Sequence, residues 1–120
     1  MKQNIDIKQL TELSIEQLKK LNELSYNPSL WRIAYEKEFA LDVDDMCFCS
    51  AINSINIGKM IEILVDNIPK TNYIEDSLDI ECDRAVNKCF IEYRKSNLEF
   101  SNYESKELCD VLWEAVKSIL

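Results

Sequence analysis

Histidine is absent from this chain of 120 residues, and glycine occurs once, at Gly58. Without histidine no side chain has an ordinary pKa near neutrality, and most familiar catalytic constellations lose their proton carrier. One glycine cannot build the loops that cradle phosphates. The two prolines, Pro28 and Pro69, mark no linker, and no internal repeat or low-complexity tract divides the chain, so a single domain over residues 1–120 is expected. The longest charge-free stretch, residues 46–58, is too short to span a bilayer and carries Ser50, Asn53, Ser54 and Asn56. The opening Met1-Lys2-Gln3-Asn4-Ile5-Asp6 turns polar at once and develops no apolar core of a secretion signal, which places the expected location in the cytoplasm.

What is present suits a folded domain. Hydrophobic residues make up 47% and charged ones 30%, a balance that favours a packed core over disorder. The net charge of −8 is unevenly spread: residues 41–80 carry only Lys59 and Lys70 against Asp42, Asp44, Asp45, Glu62, Asp66, Glu75, Asp76 and Asp79. Such a field opposes nucleic-acid phosphates and anionic lipid, and it favours encounter with a basic protein surface. The cysteines Cys47, Cys49, Cys82, Cys89 and Cys109 are odd in number, which argues for reduced thiols over a disulfide framework.

Helix punctuation recurs. A short helix or turn is expected over residues 7–13. Ser14-Ile15-Glu16-Gln17 reads as a capping box ahead of Ile15, Leu18, Leu21 and Leu24, and Asn27-Pro28 restarts a helix toward Leu41. That second helix carries Leu30, Ile33 and Ala34 beside a row of Trp31, Tyr35 and Phe39 spaced by four. Residues 46–55 read as helix or, alternatively, as a small strand pair. Asn56 caps a helix with Ile57, Met60, Ile61, Leu64, Val65 and Ile68 on one stripe, ended by Asn67 and Pro69. Residues 70–77 are polar and acidic and read as the main exposed loop. Leu78, Cys82, Ala85, Val86, Cys89, Phe90 and Tyr93 rebuild helical periodicity toward Asn97, and Ser101-Asn102-Tyr103-Glu104 is a second capping box before a last helix, whose stripe leaves Trp113 to one side. The expected fold class is all-α, a compact bundle of five or six helices.

Each candidate chemistry meets an obstacle. The cysteines lack the paired knuckles of a zinc site, and Cys82 and Cys89 sit seven apart, as small buried hydrophobes on a helix would. A cysteine nucleophile has no histidine base, and Asp42, Asp44 and Asp45 would raise the pKa of a nearby Cys47. The run Asp42-Val43-Asp44-Asp45 has no turn glycine for a calcium loop and offers Asn53 where the last ligand should be glutamate. Carboxylate groups such as Asp76 with Asp79 or Glu81, and Glu107 with Asp110 and Glu114, arise readily on solvated faces of so acidic a chain. No catalytic residue, metal or cofactor is expected. The aromatics Trp31, Tyr35 and Trp113, with the acidic Asp42, Asp44, Asp45, Glu75, Asp76 and Asp79, are the expected contacts to a partner.

Two segments, Asn56-Ile57-Gly58-Lys59-Met60-Ile61-Glu62-Ile63-Leu64 and Glu107-Leu108-Cys109-Asp110-Val111-Leu112-Trp113-Glu114-Ala115-Val116-Lys117, resemble parts of small uncharacterised proteins encoded by phages and prophages of low-GC Gram-positive bacteria. The resemblance implies jobs such as inhibition of a host defence complex, as anti-CRISPR proteins perform, or modulation of transcription or replication. The resulting expectation is a non-catalytic acidic protein that occupies a basic surface of a bacterial protein, with a nucleic-acid-binding effector as its concrete form. The alternatives are a self-associating assembly protein, for which a homodimer would suffice, and, more distantly, a carboxylate- and metal-dependent enzyme.

Overall fold

A computed structural model describes residues 1–42, 45–69, 73, 77–94 and 100–120. The chain runs α1 (Ile7–Thr11), α2 (Ile15–Ser25), α3 (Pro28–Glu38), α4 (Asp45–Ser54), α5 (Ile57–Asp66), β1 (Leu78–Asp83), β2 (Lys88–Arg94), β3 (Phe100–Ser105) and α6 (Leu108–Lys117). This is an α+β fold, and it overturns the all-α expectation. The strands form one antiparallel sheet in the order β1-β2-β3.

The first five helices follow local chemistry. Asp6 and Gln9 form a reciprocal capping box at α1, and Ser14 and Gln17 form another at α2. Tyr26 ends α2 in the left-handed region at φ 53°, after which Asn27 accepts from the Ser29 N–H and Pro28 fills the first position of α3, where its missing N–H costs nothing. Asn56 caps α5 by accepting from the Lys59 N–H at 2.8 Å. Residues 45–54 are helix, so the strand pair considered there is not formed, and Cys47 is buried while Cys49 faces out.

The error lies in residues 78–105. The spacing that mimicked a helix over 78–93 leaves Ile80 and Ile91 off its stripe, whereas a period of two gathers Leu78, Ile80 and Cys82 on one strand and Cys89, Ile91 and Tyr93 on the next. Residues 84–87 make the turn, with Asp83 Oδ1 accepting from the Ala85 N–H and Asn87 at φ 52°. The capping box read at Ser101 to Glu104 is strand β3 instead, and α6 starts seven residues later with no side-chain cap. Pairing with β2 satisfies the backbone groups along one edge of β3, which together outweigh a cap worth about 1 kcal/mol.

Burial places α6 at the centre. Cys109, Val111, Leu112, Trp113, Ala115 and Val116 are all buried on it, between α5 on one side and β2 and β3 on the other. The Tyr93 hydroxyl donates to the Leu64 carbonyl at 2.8 Å and fastens the sheet to α5. At the far end of the helical layer α3 packs chiefly on α2 and α4. The amino terminus is tied in by Ile57 N donating to Gln3 O at 2.9 Å and by Lys2 Nζ donating to Asp110 Oδ1 at 2.7 Å. Burial works against the charge on Lys2, but Asp110 and Asp6 outweigh it and hold its pKa above the ordinary value. The molecule measures 42 × 34 × 18 Å, and no helix among the described residues is long and apolar enough to cross a membrane.

Candidate interaction surface

Trp31, Tyr35 and Phe39 stand four apart on α3 or its end, so each ring lies one turn above the last. Leu30, Ile33 and Ala34 take the buried face of the helix, and the three rings are turned outward, 54%, 44% and 59% exposed. They touch one another in sequence. Trp31 stacks on Tyr35 with centroids 5.6 Å apart and 17° between planes, and Tyr35 meets Phe39 at 4.8 Å, tilted by 48°. Contact of this kind holds the rings as one ladder while leaving about half of each residue to solvent.

Charges of both signs edge the ladder. Lys19 of α2 reaches Glu38 at 3.5 Å and, with Trp31 and Tyr35, lines a recess of about 80 Å³. Arg32 pairs with Glu36 at 3.1 Å along the same helix. Beyond Phe39 the exposed chain continues through Leu41 and Asp42, and α4 opens with exposed Asp45 and Met46. Asp45 lies in the first turn of α4, where its charge also suits the helix dipole.

The other expected contacts divide. Asp44, Glu75 and Asp76 lie outside the described residues, as do most of the acidic loop expected over 70–77 and the helix end expected at Asn97; Ser77 at the loop's end is buried. Asp79 is exposed on β1 and joins a group no linear reading assembled: Glu81, Glu92 and Glu104 share the outer face of the sheet with it. Asp79 and Glu92 are direct cross-strand partners. Strand alternation is the signal that would have found them, hidden because the segment reads as helix.

Trp113 is corrected outright. It is fully buried in α6, with Nε1 finding no hydrogen-bond partner among the described residues, and it offers nothing to a partner surface. Glu107, Asp110 and Glu114, the second carboxylate group, are engaged internally: Glu107 accepts from the Lys2 N–H, Asp110 from Lys2 and Gln9, and Glu114 pairs with Lys117 at 2.8 Å. Among the described residues no three Cys, Asp or Glu side chains are gathered as a metal site.

A pocket of about 380 Å³ is lined by Leu10, Leu18, Ile33, Lys37, Leu41 and Phe48, with Lys37 Nζ donating to the Leu13 carbonyl, and a recess of about 350 Å³ lies on the sheet between Phe90, Glu92, Asn102 and Glu104. The walls of the first are mainly apolar, and Lys37 in it already serves the link between α1 and α2. Comparison with family models, curated proteins and solved structures finds no match, so the functional reading rests on these residues.

Proposed function

We propose that this chain is a non-catalytic binding protein that occupies a basic surface of another protein through the α3 ladder and the acidic residues that follow it. The observation that carries the reading is the exposed, mutually stacked row Trp31, Tyr35 and Phe39. Three aromatic rings aligned in water are unusual on a surface with no partner, and tryptophan and tyrosine dominate the energetics of binding interfaces. Their electron-rich faces suit arginine and lysine side chains, and the exposed Asp42 and Asp45 that follow them in the chain suit the same partner charge.

The concrete form of the proposal is a phage- or prophage-derived protein acting in the bacterial cytoplasm, where it blocks a nucleic-acid-binding effector as an anti-CRISPR protein does. Basic channels built for phosphates are the surfaces best matched by a chain of net charge −8. The segments that resemble phage proteins, residues 56–64 and 107–117, belong to α5 and α6 and serve as scaffold, so the likeness does not reach the contact surface.

Capture from a bacterial lysate, followed by titration of the captured protein, tests the reading. Replacing Trp31, Tyr35 and Phe39 together with alanine should weaken binding by about 2 kcal/mol or more, and reversing Asp42 and Asp45 to lysine should reduce its salt dependence. A partner indifferent to both sets sinks the proposal. The rival is self-association, favoured by the fact that Lys19 and Glu38 at the rim offer both signs to a second copy. Light scattering across a dilution series separates the two, because a stable dimer lost on alanine replacement of the ladder supports the rival.

A further inference from the structure

The turn between β1 and β2 brings two cysteines together. Cys82 and Cys89 are register partners, one step from the Asp83 and Lys88 pair that closes the turn. Directly opposed residues of an antiparallel ladder point to the same face, with Cβ atoms about 4.5–5.5 Å apart, a short closure from the roughly 3.5–4.5 Å of a disulfide. Both are free thiols, and Cys82 is close enough to Cys89 to help hold its proton on. Their surroundings differ: Cys82 is exposed, whereas Cys89 is buried beneath the sheet. The remaining cysteines offer no such arrangement, since Cys47 and Cys49 lie on α4 and Cys109 is enclosed in α6. None of this exists if residues 78–93 are helix.

We propose that Cys82 and Cys89 are a reversible dithiol–disulfide pair whose oxidant is a low-molecular-weight disulfide of the glutathione type. Cys82, the accessible member, attacks as thiolate one sulfur of oxidised glutathione; that disulfide breaks and one glutathione leaves, taking up a proton. Cys89 then releases its proton and attacks the Sγ of Cys82, the mixed disulfide breaks, and the second glutathione leaves. The protein gives up two electrons and two protons, and both appear in two molecules of reduced glutathione. Burial, with the proximity and charge of Cys82 and the nearby Glu107 carboxylate, pushes the Cys89 thiol up to about 11. That keeps Cys89 protonated at first and gives the attacking role to Cys82. The pair depends on the hairpin alone, so it holds or fails independently of what the α3 ladder binds.

The test uses the full chain in a Cys49→Ser background, which removes the other exposed thiol. Protein is incubated with oxidised glutathione, quenched in acid, and read by intact mass and non-reducing peptide mapping. Expected are the loss of two hydrogens and a peptide linking Cys82 to Cys89, both reversed by reduced glutathione. Adding Cys89→Ser should arrest the reaction at a glutathione adduct on Cys82, and adding Cys82→Ser should abolish both products. Cys89→Ala, apolar in a buried position, repeats the arrest if serine disturbs folding. A lasting adduct on Cys82 with Cys89 present, a link from Cys82 to any other cysteine or chain, or no mass change in oxidised glutathione would each overturn the proposal.

Discussion

On α6 the indole of Trp113 is wholly enclosed between α5 and the sheet, while on α3 Trp31 is 54% exposed and stacks on Tyr35. The two helices treat the same side chain in opposite ways because they occupy different layers. Helix α6 is covered from two sides and buries residues around most of its circumference, whereas α3 has partners for only part of its own. Aromatic residues on the first pack the core. Those on the second are left over after packing, and a surplus of that kind is what a binding surface is made from.

The sharpest way to break this contrast is truncation. Trp113→Ala should lower the unfolding free energy by about 3–5 kcal/mol, a large share of a typical domain's stability, whereas Trp31→Ala should cost no more than about 0.5 kcal/mol. Denaturant titration of both variants checks it, and equal costs would make the ladder part of the core. Acrylamide should quench Trp31 selectively in the native protein.

The next effect tests the join between the sheet and the helices. Tyr93→Phe removes one donor to the Leu64 carbonyl and should cost about 0.5–1.5 kcal/mol, because that carbonyl still accepts from the Asn67 N–H. Burial also pushes Tyr93 up to about 12 and Cys109 up to about 11 from ordinary values of 10.0 and 9.0. Both groups fold in their neutral forms and ionise more readily when unfolded. Their contribution is therefore complete below pH 9 and is lost as pH rises through 11 to 12, which melting curves across that range should record.

Smaller effects separate the locally encoded helices from the sheet. Asn56→Ala should cost about 1 kcal/mol through loss of the α5 cap. Gly58→Ala should gain about 0.4–1 kcal/mol, since a Cβ there meets only Asn56 Oδ1 at 3.5 Å, an ordinary contact. On the outer sheet face Asp79→Lys should gain about 0.2–1 kcal/mol by replacing a like-charge pair with Glu92 by an opposite one. Thermal melts rank all three. A loss on Asp79→Lys would mean that the two carboxylates are held apart by something the register does not express.

Legibility follows how local each feature is. The caps at Ser14, Asn27 and Asn56 act within four residues of themselves, and the helices they start lie where their spacing predicts. The hairpin was illegible for a numerical reason: Cys82 and Cys89 are seven apart, which matches two turns of a helix as well as two strands around a turn. Ile80 and Ile91, both outside the supposed stripe, were the contrary signal. The candidate site was legible in part. The four-residue spacing of Trp31, Tyr35 and Phe39 put them on one face, but a stripe says nothing about whether that face is covered.

By itself, then, the order of residues determined α2, α3 and α5 with their caps, the acidic middle of the chain and the absence of a histidine-based site, because each depends on side-chain type or on neighbours within one helical turn. Only the tertiary structure decided that residues 78–105 pair as strands, that Trp113 lies inside while Trp31 stays outside, and that two cysteines meet across a ladder. Those outcomes turn on which distant surfaces exclude water together, and hydrophobic burial has no preferred distance along the chain.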